Sequence, residues 1–343
     1  MFLPFVRSRV VFTRRFDLEN IDLHAIVHNA EFIKRYTDTQ VCAVVKSDAY
    51  GHGAERVARV LRDVVDCFAV ANLREALQIS QYVCKILILL PVTDNDLPTA
   101  SAHGFVLAVN SFDTLQRYAS SGLPLHIHIK TNSGMNRLGF NIDELCDVCN
   151  ILNVNKQMVV DGVFSHMWGS AYDDCKAQYD LFAKQAEFCE QALNKKLIRH
   201  VANTSAVFCD KTFCMDMVRV GLALYGYGHP SLIPAKSVSA NVIAVRRVDK
   251  GDVVGYGGVF HPDNPTNLAV LDTGYASGFP RTMVGSIVSI DGMPARVVAV
   301  CMGMTICATP RLANVGSKAI LLGKGVNPSN DETIVYELLC NLR

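Results

Sequence analysis

Eight short runs of aliphatic and β-branched residues recur between residues 41 and 226, and their spacing constrains the fold more than any other feature of the chain. They read VCAVVK (41), CFAVAN (67), KILILL (85), FVLAVN (105), LHIHIK (125), VDGVFSH (160), IRHVAN (198) and VRVGLALYG (218). Most are apolar at successive rather than alternate positions, the mark of a strand covered on both faces. Between them lie stretches with apolar residues three and four apart, such as AERVARVLRDV (54), SFDTLQRYASS (111) and CKAQYDLFAKQAEFCEQAL (175). Strands and helices in alternation predict a parallel sheet, and eight such units predict a closed (β/α)8 TIM barrel over residues 17–238.

From about residue 238 the pattern changes. SVSANVIAVRRVDKGDVVGYGGVF (237) opens a series of short strands broken by Gly-Asp, Gly-Gly, Asp-Gly and Pro, with no long helical stretch before ETIVYELL (332). This predicts a smaller all-β C-terminal domain over residues 239–343, with the N-terminal segment 1–16 as a possible addition to it. No low-complexity linker separates the two.

Composition narrows the function. Lys and Arg total 33 against 32 acids, so a net charge of +1 provides no field to steer nucleic acid or an anionic membrane. Apolar runs such as ILILLPV (86) fall far short of the roughly 20 residues that span a bilayer. Arg7 and Arg9 interrupt what would have to be the apolar centre of a signal peptide. Together these features predict a cytoplasmic protein with no nucleic-acid or membrane partner. The 12 cysteines lie mostly in apolar stretches, as buried reduced thiols do. One C-x-x-C pair, Cys146 and Cys149, lacks a second pair or a histidine at metal-ligand spacing, and two cysteines three apart also share a helix face. No metal site is expected.

A (β/α)8 barrel carries its chemistry at the C-terminal ends of its strands, which here are Lys46, Asn72, Pro91, Asn110, Lys130, His166, Asn203, and Arg219 with Gly221. Any one of these is ordinarily a polar residue meeting solvent; their recurrence at the same end is what calls for explanation. Desolvation at the mouth of an apolar strand would favour the neutral amine of Lys46, the form that attacks an aldehyde. Tyr50, flanked by Gly51 and Gly53, is within reach of the same mouth. Lysine, tyrosine and glycine together suggest pyridoxal phosphate, held covalently at one end and by its phosphate at the other.

AVVKSDAYGHG (43) resembles the cofactor-lysine motif of the alanine racemase family, the fold-type III pyridoxal-phosphate enzymes, with Ser47 where alanine is usual. IKTNSGMNRLGF (129), GVFSHMWGS (162), HVANTSAV (200), MVRVGLALYG (217), VVGYGGVF (253), TGYASGFPR (273) and VCMGM (300) resemble further family segments in the same order. The resemblance implies a homodimeric enzyme that racemises alanine with pyridoxal 5'-phosphate and supplies D-alanine for peptidoglycan. By position it implies that Lys46 holds the cofactor and that Tyr50, Thr204 (with Ser205 as the register alternative) and the amides of Gly221 and Leu222 bind its phosphate. Asn203 precedes them in the motif and would belong to the cofactor site. His166 would lie behind the pyridine ring and Arg219 would face its nitrogen. Arg137, steadied by Lys130, a position often carbamylated in the family, would reach the phenolic oxygen and the substrate.

From the β domain, Tyr256 would be the second catalytic residue, working in the partner subunit, and Met302 would offer an amide to the substrate carboxylate. Tyr275 and Arg281 would lie along the substrate channel. Inverting an α-carbon requires proton-carrying groups on opposite faces, the roles Lys46 and Tyr256 would fill. A guanidinium facing the ring nitrogen weakens the electron sink and separates a racemase from a decarboxylase of the same fold. The sequence departs from the family pattern at TNSG (131), at Ser277, at Val300 in place of an arginine and at Gly303 in place of an aspartate. A family tail that often brings one more tyrosine to the phosphate does not follow CNLR. These departures leave open a racemase of shifted substrate, serine for example, a decarboxylase, or a non-catalytic pyridoxal-phosphate-binding paralogue.

Overall fold

The computed structural model describes residues 19–83, 85–323, 325–326 and 334–342. The segment 1–16, expected to join the β domain, lies outside the described residues. By their internal contacts the described residues divide into two units, one within 21–236 together with 334–342, the other comprising 19–20 and those within 237–326. Thus the last helical stretch, expected within the β domain, groups with the barrel.

In chain order the strands of the first unit follow β1 (Glu19–Ile21): β2 (Gln40–Val44), β3 (Cys67–Val70), β4 (Ile86–Ile88), β5 (Val106–Val109), β6 (Leu125–Lys130), β7 (Met158–Phe164), β8 (Ile198–His200) and β9 (Met217–Val220). All eight expected runs form strands. They pair in parallel in the order β8-β7-β6-β5-β4-β3-β2-β9. The circle closes where Asp216 N–H donates to the Arg199 carbonyl and Arg219 N–H to that of Ala202. Strands β3, β4, β5 and β9 are buried at every position, which explains why their sequences lack alternation.

The helices α1 (Leu23–Thr37), α2 (Lys46–Gly51), α3 (Ala54–Leu61), α4 (Leu73–Ile79), α5 (Leu97–Ala102), α6 (Phe112–Ser120), α7 (Leu145–Val154), α8 (Tyr172–Leu193), α9 (Thr204–Cys209) and α10 (Val335–Asn341) complete the unit. Several start on a side-chain cap that the sequence supplies: Asp22 for α1, Asn72 for α4, Ser111 for α6 and Asn203 for α9. Cys146 and Cys149 lie on α7, where Cys146 is exposed and Cys149 is buried. No group of three metal-ligating side chains occurs among the described residues. Nor is any described helix long and apolar enough to cross a membrane.

The second unit is antiparallel. Its strands are β10 (Lys236–Val248), β11 (Thr266–Leu271), β12 (Ile287–Ile290), β13 (Met293–Val300), β14 (Thr305–Thr309) and β15 (Lys318–Leu322). The sheet runs β1-β10-β11-β14-β13-β12-β15 and closes by pairing β10 with β15. One long strand can serve two neighbours because β10 pairs with β15 through Val238–Asn241 and with β11 through Val242–Val248. The (β/α)8 barrel and the all-β domain read from the sequence are therefore both present.

Candidate active site

A cavity of about 560 Å³ opens at the C-terminal ends of the barrel strands, lined among others by Lys46, Tyr50, Lys130, Arg137, His166, Asn203, Thr204, Arg219 and Gly221. Ser205 is exposed and does not line it, so the chain places Thr204, and not its neighbour, in the cavity. Asn72, Pro91 and Asn110, also strand ends, do not line it either. Asn72 caps α4, and Asn110 accepts a hydrogen bond from the Thr114 hydroxyl, so structural roles explain these two.

The segment carrying Lys46 is unusual. Ser47, Asp48, Ala49 and Tyr50 all have φ of 54°, which makes α2 largely a left-handed turn. Such a conformation costs an L-residue about 1–2 kcal/mol, so four in succession persist only where surrounding bonds impose them. Glu75 supplies part of that restraint: Oε1 accepts the Ser47 N–H at 2.9 Å and Oε2 the Ala71 N–H at 2.7 Å. The Asp48 carboxylate accepts the Ala54 N–H at 2.7 Å, and the His52 ring bonds the carbonyls of Ala49 and Tyr50 at 2.9 and 3.0 Å. The turn delivers Tyr50 onto Tyr225, ring centroids 5.0 Å apart, with its hydroxyl against Gly221. A Cβ at Gly221 would collide with that hydroxyl, so a glycine is required there.

The electrostatics follow from burial among cations. Desolvation first, and then the guanidinium of Arg137, lower the Lys46 pKa and favour the neutral amine. Lys130 is 7% exposed, with its Nζ 4.8 Å from the centre of the Phe164 ring; burial, Arg219 and Arg137 depress it to about 7. His166 falls to about 3, through burial and then Arg219, which leaves a neutral ring facing the cavity.

Arg219, 5% exposed, is held from several sides. Nη1 donates to His200 Nδ1 and to the His200 carbonyl, both at 2.8 Å, and Nη2 to the Ser165 carbonyl at 2.6 Å. Because guanidinium only donates, His200 Nδ1 must accept, and His200 Nε2–H then donates to His128 Nδ1 at 2.8 Å. The second Nη2–H lies 3.4 Å from His166 Nδ1 and 3.5 Å from the Val201 carbonyl, and Nε takes part in none of these contacts, which leaves its N–H as the donor not already committed.

At another wall, Asn203 accepts the Ala206 N–H and donates to the Met167 carbonyl, fixing the start of α9. Thr204 Oγ1 accepts the Ala223 N–H at 3.2 Å. The turn after β9 closes on the carbonyls of Gly221, Leu222 and Ala223, placing the Gly221 and Leu222 amides at its donor end. Asn132, in the TNSG departure, braces the loop bearing Arg137. Its Oδ1 accepts the Gly134 and Asn136 N–H groups, and its Nδ2 donates to the side-chain oxygens of Asn136 and Asn141.

Sequence reasoning missed Glu75, Tyr336 and Cys340. The last two, on α10, line the cavity, and the Tyr336 ring lies 5.7 Å from that of Tyr50. The tyrosine sought beyond CNLR thus has a counterpart inside ETIVYELL; an aromatic on an otherwise unremarkable helix was the available signal.

Tyr256, Tyr275 and Met302 lie in the β unit and do not line the barrel cavity. Tyr256 is 84% exposed. The β unit brings their loops together: Tyr275 and Ala276 N–H donate to the carbonyls of Cys301 and Met302, and Gly255, beside Tyr256, packs on Ala299. Val300 ends β13 buried, Ser277 lies in the turn Tyr275–Ser277, and Gly303 faces open space.

The cavity combines a buried amine, hydroxyls from Tyr50, Thr204 and Tyr336, a fixed guanidinium and a glycine that admits close approach. This donor set fits an aldehyde cofactor with an anionic phosphate and a ring nitrogen. Comparisons with known proteins agree. Residues 21–229 match the family description "Alanine racemase, N-terminal domain" and residues 235–343 match "Alanine racemase, C-terminal domain". An alanine racemase of Staphylococcus epidermidis is 31% identical, covering 94% of this chain and 91% of the relative. The crystal structure of the biosynthetic alanine racemase from Pseudomonas aeruginosa superposes with a TM-score of 0.85 at 31% identity, covering 95% of this chain and 96% of that one. The Bartonella henselae alanine racemase, solved with covalently bound pyridoxal phosphate, gives 0.84 at 26% identity, covering 94% and 96% of the two chains. The chain belongs to the alanine racemase family.

Proposed function

We propose that the protein interconverts L- and D-alanine with pyridoxal 5'-phosphate, as a homodimer that supplies D-alanine for peptidoglycan. The observation that carries this reading is the cavity itself, where Lys46 is held toward its neutral form beside a buried Arg219 whose Nε–H is uncommitted. When bound, the cofactor supplies an electron sink that acidifies the α-hydrogen of an amino acid.

Lys46 would hold the cofactor through Nζ. Tyr50, Thr204 and Tyr336, with the amides of Gly221 and Leu222, would hold its phosphate. The neutral His166 ring would lie beside the pyridine, and Arg219 would face its nitrogen through the uncommitted Nε–H. A guanidinium does not surrender a proton there, so the sink stays weak and competing transamination and decarboxylation are suppressed. Arg137, which lines the cavity, would steady the phenolic oxygen and the substrate. Lys46 Nζ would move the α-proton of the D-isomer. The Tyr256 hydroxyl of a second copy moves that of the L-isomer from the opposite face, and the exposure of Tyr256 leaves it available to such a copy. Met302 and Tyr275 would face the same substrate.

A directional assay separates the two bases. Tyr256→Phe keeps the bound chromophore near ~420 nm and loses proton exchange from L-alanine, whereas Lys46→Ala loses the chromophore. Undiminished L-to-D conversion in Tyr256→Phe would overturn the two-base assignment.

A further inference from the structure

Lys236, at the start of β10, is 1% exposed and belongs to the barrel unit. Its Nζ donates to the Leu342 carbonyl at 2.8 Å, to the Leu339 carbonyl at 2.9 Å and, more weakly, to the Gly51 carbonyl at 3.4 Å. The first two acceptors lie at the C-terminal end of α10, where helix carbonyls lack partners within the helix and carry partial negative charge. The third ends the left-handed turn that carries Lys46 and Tyr50. The two segments touch directly, because a Cβ at Gly51 would come within 2.5 Å of the Leu339 oxygen. On the cavity side of this junction, Tyr336 stands against Tyr50. An ammonium has three N–H donors, and here it joins two segments that sequence separates by 103, 106 and 185 residues from Lys236.

We propose that Lys236 is a positioning residue for the phosphate end of the cofactor cavity, joining α10 to the Lys46–Gly51 turn so that Tyr336 and Tyr50 face the same ligand. It touches neither the cofactor nor the reacting atoms. Its effect falls on the hydroxyls that receive the phosphate and not on the amine that receives the aldehyde. This inference rests on the cofactor reading above and goes beyond it.

The test compares pyridoxal 5'-phosphate with pyridoxal, which has the aldehyde and no phosphate, by titrating the Lys46-bound chromophore in the full-length protein. Lys236→Met preserves an unbranched side chain and removes the donors. It should weaken pyridoxal phosphate at least tenfold and leave pyridoxal within twofold of the unsubstituted protein, with the far-UV circular dichroism spectrum unchanged. Tyr336→Phe should weaken pyridoxal phosphate by itself and add less than twofold in the Lys236→Met background, because a displaced helix no longer presents the hydroxyl. Equal losses for both aldehydes, a loss for neither, or a fully additive double substitution would overturn the proposal. If Lys236→Met does not fold, Lys236→Arg carries the same comparison: its fork cannot reproduce a three-way point donor, so the selective loss is still required. Failure of the unsubstituted protein to bind either aldehyde would instead refute the cofactor reading.

Discussion

Replacing Lys130 with methionine should stabilise the barrel in a pH-dependent way. The amine is almost wholly buried, lies near two guanidiniums and is depressed from 10.5 to about 7. At about 1.4 kcal/mol per pH unit, that difference corresponds to roughly 5 kcal/mol for keeping the side chain charged in this site. Between about pH 7 and 10.5 the unfolded chain binds this proton and the folded chain does not, so stability rises with pH across that window. Below about pH 7 both states are protonated and the full cost is present. Methionine has similar length and no charge. Lys130→Met should therefore exceed the unsubstituted protein most at pH 6, by a few kcal/mol and at most about 5, and the gap should shrink toward zero near pH 10. Urea unfolding in carbon-dioxide-free buffer at several pH values measures this. The single tryptophan, Trp168, reports on the barrel unit. Bicarbonate near pH 8 supplies carbon dioxide to the neutral amine, forms an anionic carbamate near Arg137 and Arg219, and should raise the melting temperature of the unsubstituted protein alone. No stability gap at pH 6, or a gap that does not fall as pH rises, would refute the reasoning.

Gly221→Ala places a methyl group into the Tyr50 hydroxyl and ring. Overpacking costs about 1–3 kcal/mol, so pyridoxal phosphate should bind roughly five- to 150-fold more weakly, as spectrophotometric titration would read. Arg219→Lys cannot reproduce the fork that reaches His200 Nδ1 and the carbonyls of His200 and Ser165. It should cost about 3–5 kcal/mol by leaving buried acceptors unpaired, and calorimetry should show a lower melting temperature together with weaker cofactor retention.

The barrel was legible because buried parallel strands carry continuous apolar runs, and each of the eight runs ends near the plane where the cavity lies. The strand-end rule identified Lys46, Lys130, His166, Asn203, Arg219 and Gly221, all of which line the cavity. It also selected Asn72, Pro91 and Asn110, which do not, because a polar residue at a strand end reads the same whether it caps a helix or faces a ligand. Glu75 was hidden for a related reason: its place three residues after Asn72 marks a helix start, and nothing local reveals that its carboxylate Oε1 holds the Lys46 turn. The Lys236 bonds that join the turn to α10 go to backbone carbonyls, and carbonyls leave no trace in a sequence. Tyr336 required knowledge that a helix after the β strands returns to the barrel.

The central claim is that this cavity removes and returns the α-proton of alanine on opposite faces. Incubation with L-alanine in deuterated water tests it most directly, with chirality and α-carbon deuterium assayed together. The account predicts D-alanine carrying deuterium at the α-carbon, together with gradual α-deuteration of the L-alanine pool as the reaction reverses. Deuterium incorporation with no D-isomer would contradict the second base, and no exchange at all would contradict the catalytic reading.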